Sequence, residues 1–282
     1  MNRRSRAPGY AGAFFLLGTL IVLLVLPAGA GLGGEGDALL KPDLRTRKPN
    51  VLAIDKSSVP GTTLLRFSNL IVNKGAGPIE LRPQEENCRS DGDMSDERVA
   101  YQRIYPDSNG DGFFDRSLDN AAPIEAKAGC SEFHPEHNHW HFENFARYEL
   151  LSFESDGDVG ALVSDTTISD KVSFCLVDTQ RVAPRTPGSP EQQYYKGNSE
   201  FVGCAADDTM GISIGWADLY STWTPGQHVD ITEVPNGTYC LRSTVDPTDL
   251  LDETREKNNK RAIRVTLKKN ASVVDYLPLQ SC

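Results

Sequence analysis

The sequence predicts an all-β protein: a β-sandwich core with long irregular loops, stapled by disulfides. Three observations predict it. Short runs of alternating apolar and polar residues recur along the chain, separated by Gly, Pro, Asn and Asp. No long stretch carries a helical period. Six cysteines, Cys88, Cys130, Cys175, Cys204, Cys240 and Cys282, form an even set without a Cys-x-x-Cys pair, which favours disulfides over a thiolate zinc site. Taken in chain order they pair as Cys88–Cys130, Cys175–Cys204 and Cys240–Cys282, one of several connectivities open to them.

Residues 1–30 have the form of a targeting segment. Arg3, Arg4 and Arg6 precede an apolar run from Phe14 to Leu26, and Pro27 then leads into Ala28-Gly29-Ala30, an A-x-A cleavage pattern. The run is short against the roughly 20 residues of a membrane span, so a signal peptide is favoured over an uncleaved anchor, and a secreted or extracytoplasmic protein is expected. The only membrane contact this leaves open is through that segment, if it is retained. Residues 31–61, rich in Gly and Pro at their start, read as a lead-in, and residues 62–282 as one β domain.

Within that domain Thr62 to Val72 reads as a strand, followed by a turn at Asn73-Lys74-Gly75 and a short strand at Pro78 to Leu81. Further strands are predicted at 99–105, 172–178, 228–234, 238–245 and 262–267 from β-branched and aromatic residues in alternation. The polar stretch from Thr179 to Gly203 is long for a loop, a length that goes with function or with tethering.

The stretch from Cys130 to Leu151, CSEFHPEHNHWHFENFARYELL, stands apart. The chain has five histidines, and His134, His137, His139 and His141 are here. Alternation through Trp140, Phe142, Phe145, Tyr148 and Leu150 favours a strand, in which residues two apart share a face. His137, His139 and His141 would then present three imidazoles on one side, with Trp140 and Phe142 packing on the other. Such a face suits Cu(II), Zn(II) or Ni(II); the histidines alone do not choose among them.

Asp107, Asn109, Asp111 and Asp115 occupy positions 1, 3, 5 and 9 of a calcium-loop pattern, with Gly112 at position 6. Position 12 is Leu118, and Asp119 follows, so the closing bidentate ligand is missing or displaced; an Asp/Asn/Gly-rich turn would look the same. The net charge of −10 argues against nucleic acid as a partner, since a phosphate backbone calls for a basic patch.

With these residues in view, the sequence resembles the lysyl oxidase family. Leu64-Leu65-Arg66-Phe67 with Asn73-Lys74-Gly75 is similar to the family's early strand and turn. His134-x-x-His137-x-His139-x-His141 has the spacing of its copper segment. Lys171-Val172-Ser173-Phe174-Cys175-Leu176-x-Asp178-Thr179 is similar to its lysine-bearing strand. Gly211-Ile212-Ser213-x-Gly215, Asp218-x-Tyr220 and Val229-Asp230-Ile231-Thr232 resemble its tyrosine-bearing segment, and Val245-Asp246-Pro247, Glu253 and Asn258-Asn259 follow in the same order. The blocks span roughly residues 42–267.

The resemblance implies copper held by His137, His139 and His141, with His134 as a supporting or spare ligand. It implies a lysine tyrosylquinone made by joining Lys171 to oxidised Tyr220, and an amine oxidase acting with O2 on a primary amine or a lysine-bearing protein. The products would be an aldehyde, ammonia and hydrogen peroxide. A family calcium site implies Asp43, the Leu44 carbonyl, Glu253, Asn258 and Asn259 as ligands. Three positions depart from the pattern. Arg147 stands where animal members carry a histidine, leaving the catalytic base open. Glu136 replaces a cysteine, and Arg255 stands where an acidic calcium ligand is expected. Two other readings of the histidines remain: a non-catalytic copper- or zinc-binding secreted module, and a zinc hydrolase with Glu136 or Glu143 as base.

Overall fold

The computed structural model describes residues 38–89, 95–120, 122–135, 138–169, 172–196, 204–205, 209–268, 275–276 and 280–282. The targeting segment expected at 1–30 lies outside them, as do Glu136, His137 and Lys171. The strands, in chain order, are β1 (Leu39–Leu40), β2 (Leu44–Thr46), β3 (Asn50–Asp55), β4 (Leu64–Asn73), β5 (Ile79–Gln84), β6 (Glu97–Pro106), β7 (Ile124–His134), β8 (His139–Phe142) and β9 (Ala146–Phe153). They continue with β10 (Val159–Leu162), β11 (Gln180–Arg181), β12 (Met210–Ile212), β13 (Trp216–Tyr220), β14 (His228–Asp230), β15 (Gly237–Val245), β16 (Lys260–Leu267) and β17 (Asp275–Tyr276). The described residues contain one turn of 3₁₀ helix, Asp165–Thr167, and no helix long and apolar enough to cross a membrane.

The fold is all-β, as the alternation predicts. Three antiparallel sheets share one apolar core. The first runs β12-β5-β6-β7-β8 with β1 on β6, the second β10-β9-β15-β16-β17, and the third β11-β13-β4-β14 with β2 and β3 also on β4. Phe67 and Ile71 of β4, Phe142 of β8, Tyr148 and Leu150 of β9 and Leu241 of β15 meet with no exposed surface. The cysteines pair as Cys88–Cys130, Cys175–Cys204 and Cys240–Cys282. Each such link removes loop freedom from the unfolded ensemble.

Residues 38–61, read as a lead-in, supply three strands. β1 pairs with β6, and β2 and β3 pair with β4. The turn after β4 seats the chain near β1: Lys74 N–H donates to the Asp43 carbonyl and Gly77 N–H to that of Lys41. A Cβ at Gly77 would lie 1.9 Å from the Leu40 carbonyl oxygen, so this close approach requires glycine.

Two strand expectations are corrected. The run 172–178 is extended but forms no ladder, because its backbone groups go to different elements. Phe174 exchanges both hydrogen bonds with Phe142 of β8, Leu176 accepts from Gly211 of β12, and Val177 N–H reaches the Asp218 carboxylate of β13. The alternation at Val172, Phe174 and Leu176 thus records burial without a sheet. At 228–234 only His228–Asp230 is a strand, since Thr232 N–H and Oγ1 turn back onto the Asp230 carboxylate. The histidine strand is also shorter than expected. Asn144, at φ 56°, turns the chain after β8, and β9 joins another sheet.

Asp178 organises the far end of the 172–178 segment. Its carboxylate accepts N–H bonds from Tyr194, Tyr195 and Ser213 and the Ser213 hydroxyl. The described part of the long stretch after it, 179–196, is tied down: Arg181 bonds the Ser189 carbonyl and Trp216 Nε1 the Pro190 carbonyl. Beneath it Glu80 of β5, 1% exposed, accepts from the hydroxyls of Tyr105 and Tyr195 and pairs with Arg103 and Arg116, each at 2.9 Å.

Candidate metal and tyrosine site

β7 and β8 form a hairpin whose register sets His134 opposite His139 and Glu132 opposite His141. Asn138 closes it in a left-handed conformation, φ 53°, with its N–H on the His134 carbonyl. His139 and His141 lie two apart on one face of β8, and their Nε2 atoms are 2.8 Å apart. Trp140 and Phe142 point the other way and are buried, with Arg98 stacked over Trp140. The His134 ring lies 4.2 Å from that of His141, centroid to centroid.

This donor set fits a metal ion. Zinc–nitrogen bonds are roughly 2.0–2.1 Å, so two imidazole nitrogens on one ion come within about 3 Å, close to the separation seen here. Two ring nitrogens that approach this closely need either a proton or a cation between them. Hydrogen bonds fix the rings from behind: His134 Nε2 meets Glu132 Oε1 at 2.7 Å and Ser173 Oγ at 3.1 Å, and His141 Nδ1 meets the same hydroxyl at 3.3 Å. Such outer contacts orient metal-binding imidazoles. Glu143, the base proposed for a zinc hydrolase, is held by Arg89. Burial and the neighbouring Glu132 raise the Glu143 pKa; burial also acts on Glu132, but hydrogen bonds led by that from His134 bring it below the ordinary value.

Tyr220 ends β13 and is 8% exposed. Its ring meets Phe174 edge-on at 4.4 Å. Its hydroxyl lies 2.7 Å from the Cys175 carbonyl oxygen and 2.6 Å from Asp218 Oδ2. The segment 172–175 therefore touches both halves of the site. Ser173 contacts two histidines and Cys175 contacts the tyrosine. Val172 directly follows Lys171 in the chain.

A match to the lysyl oxidase family model covers residues 114–276, more than half of the 282-residue chain. The chain belongs to the lysyl oxidase family. It is 33% identical to protein-lysine 6-oxidase of Gallus gallus over 129 residues, 45% of this chain and 26% of that protein. Lysyl oxidase homolog 4 of Mus musculus is 31% identical over 181 residues, 62% of this chain and 20% of the relative. For protein-lysine 6-oxidase of Sus scrofa the figures are 33% over 129 residues, 45% and 43%. The chain thus spans less than half the length of each of these lysyl oxidase relatives.

Three residues in contact with these candidates were not singled out from the sequence as functional: Ser173, Glu132 and Asp218. For Asp218 a signal existed. Asp218 and Tyr220 are two apart in a strand, so they share a face. Burial pushes the Asp218 carboxyl up to about 7, with the Tyr220 hydrogen bond opposing. Burial, reinforced by the Asp218 charge, pushes the Tyr220 phenol well above its ordinary value. Tyr148 is wholly buried with its hydroxyl 3.3 Å from Asn69 Oδ1.

The two candidate calcium regions differ. At 107–115 the side chains turn onto the loop itself. Asp107 accepts from the amides of Gly110, Asp111 and Gly112, Asn109 from Asp111, and Asp111 from Phe113, while buried Asp119 accepts from Ser108 and Asp115. In the second region Asn258 Nδ2 meets Asp43 Oδ1 at 2.6 Å, and Asn259 Nδ2 meets Glu253 Oε1 at 2.9 Å. The amide oxygens of Asn258 and Asn259 are buried with no hydrogen-bond partner among the described residues. Asp246, Glu253 and Glu256 bring carboxylate oxygens within 4.8 Å of one another, and burial pushes Glu253 up to about 8. Arg255 is exposed, and Glu256 next to it supplies an acid.

Proposed function

We propose that the protein is an exported copper-dependent amine oxidase of the lysyl oxidase type. Its substrates would be primary amines, peptidyl lysine among them, and its cofactor a lysine tyrosylquinone built from Lys171 and Tyr220. The observation that carries the reading is the segment after Lys171, which contacts His134 and His141 through Ser173 and Tyr220 through the Cys175 carbonyl. His137, His139 and His141 would hold the copper, with Ser173 orienting the His141 ring and Glu132 that of His134. Copper and O2 would supply oxidation of the Tyr220 ring and its linkage to Lys171, and the finished quinone would take up the amine and its electrons, yielding an aldehyde, ammonia and hydrogen peroxide. The residues around it do ordinary work: Phe174 and Tyr148 exclude water from the ring, and Cys175 and Asp218 fix its hydroxyl. The net charge of −10 draws cationic amines and lysine-rich proteins, an attraction that salt weakens. Three disulfides accord with an oxidising compartment.

The deciding experiment is peptide mass spectrometry on protein expressed with copper, alongside phenylhydrazine absorption. A Lys171–Tyr220 cross-linked peptide with a visible hydrazone band is expected. Copper at full occupancy with both residues unmodified would return the protein to the class of non-catalytic metal-binding modules.

A structural calcium ion would sit at the second of the two regions, on Glu253 with Asp43, Asn258 and Asn259 and the acids Asp246 and Glu256. The empty site binds a proton that the unfolded chain has released, since Glu253 moves from 4.5 to about 8. Without calcium, its contribution to stability therefore falls as pH rises through that window. Added calcium is expected to raise the melting temperature more at pH 8 than at pH 6, by several degrees at saturation. Glu253→Gln should abolish that difference; an equal response from the variant would rule this site out.

A further inference from the structure

Two acceptor atoms crowd one phenol. Tyr220 Oη lies 2.6 Å from Asp218 Oδ2 and 2.7 Å from the Cys175 carbonyl oxygen, both hydrogen-bond distances. A phenol has one proton to donate. Both contacts are satisfied together only when Asp218 carries a proton: its O–H then donates to Tyr220, and Tyr220 donates to the carbonyl. When the carboxyl ionises, the phenol proton turns to Asp218. Asp218 is 2% exposed, so either arrangement is sheltered from water.

We propose that Asp218 is the base that takes the phenol proton of Tyr220 when the ring is oxidised. The inference rests on the reading of Tyr220 as quinone precursor. In the step, the O–H bond of Tyr220 breaks and a proton–Oδ2 bond forms on Asp218. No electrons are lost, and the negative charge moves from carboxylate to ring oxygen. A phenolate yields electrons to copper and O2 far more readily than a phenol, so removal of the proton opens the oxidation. Asp218 touches the reacting atom and is in this sense catalytic.

The surroundings set when it can act. The groups facing Asp218 are Asp178 on the 172–178 segment, Tyr220 on its own strand and Tyr148 on β9, while Val177 N–H donates to it at 3.3 Å. Burial and the Asp178 charge hold the carboxyl protonated up to about pH 7. Below that pH the base is already occupied; above it the carboxylate is available.

The test uses the full chain prepared without copper. Copper is added in air, and the Lys171–Tyr220 peptide is quantified by mass over time on either side of pH 7. Wild type should cross-link about tenfold faster per pH unit on the acid side and level off above. Asp218→Asn should be slower by about 10²-fold or more, keeping only the pH dependence that copper loading gives every variant; Asp218→Glu should keep the full rise. Histidine protonation also affects copper loading, but it acts equally on the variants and cancels in the comparison. Independently of copper, the wild-type minus Asp218→Asn infrared difference spectrum of the metal-free protein should show a protonated-carboxyl band that titrates near pH 7 and shifts when Tyr220→Phe is the background, while the Glu253 contribution cancels. Circular dichroism reports folding, and Asp218→Glu keeps the acid should the amide fold poorly. Cross-linking of Asp218→Asn at the wild-type rate and pH profile would overturn the assignment of Asp218 alone. No cross-link in wild type would overturn the quinone reading and this inference with it.

Discussion

Tyr220→Phe is expected to give a folded protein that binds copper, lacks the hydrazone band and oxidises amines no faster than background. The substitution removes one oxygen from a ring packed against Phe174 at 4.4 Å, so the core keeps its volume. The losses are the contacts to the Cys175 carbonyl and to Asp218. His139 and His141 on β8 are held by each other and by Ser173, and the Phe174 ring still packs on the substituted ring, so metal binding should survive. Enzymes accelerate their reactions by about 10⁶-fold or more, so loss of the cofactor should take activity to the detection floor. His141→Ala makes the contrast. It removes a buried imidazole whose Nε2 sits 2.8 Å from that of His139, and copper affinity should fall by at least about 100-fold, more than an outer-contact change would produce. Metal and quinone then disappear together. Measured amine oxidation in Tyr220→Phe near the wild-type rate would end the quinone assignment, whatever the metal content.

The second large effect is on stability and lies away from the histidines. Glu80→Ala should destabilise by about 3–5 kcal/mol, because removing one member of a buried charged cluster strands the rest. Arg103 and Arg116 lose a partner at 2.9 Å each, and the Tyr105 and Tyr195 hydroxyls lose their shared acceptor. For a chain of this size each kcal/mol lowers the melting temperature by about 2–4 °C, so a fall of roughly 6–20 °C is expected. Burial alone would raise the Glu80 pKa, yet the two hydroxyls and Arg116 together bring it below its ordinary 4.5. A lowered carboxylate contributes stability that is fully present above the unfolded pKa and is lost as pH falls below it. Scanning melts should therefore show the variant converging on wild type in acid. A constant gap down to low pH would mean that packing, and not charge, accounts for the loss.

The parts of the fold legible in the sequence are those where burial and pairing coincide. β4, β6, β15 and β16 alternate or run apolar because a ladder and a core act on the same residues. Residues 172–178 show the same alternation for a different reason, since successive residues bond to different elements. β1 to β3 escaped notice because they are short and depend on β4 and β6 for their ladder pairing. At the site, the histidines declared themselves by number and spacing. Tyr220 needed the resemblance to be noticed. Asp218 was signalled only by its place two residues from Tyr220, and Ser173 looks ordinary in one dimension, its meaning coming from what the chain folds beside it.

The bond between Cys175 and Cys204 has a consequence for chronology. Cys175 offers its carbonyl to Tyr220, and Cys204 offers its own to the Trp140 amide, between the two histidines of β8. One covalent strut thus runs from the tyrosine's anchor to the histidine strand. A chain whose thiols are still reduced has both ends but no brace between them. On the proposed reading, the brace would be in place before copper and the change in the tyrosine ring only in a chain whose thiols are oxidised first. A cell that keeps its thiols reduced and exports the chain before oxidation would also keep the oxidant chemistry outside itself.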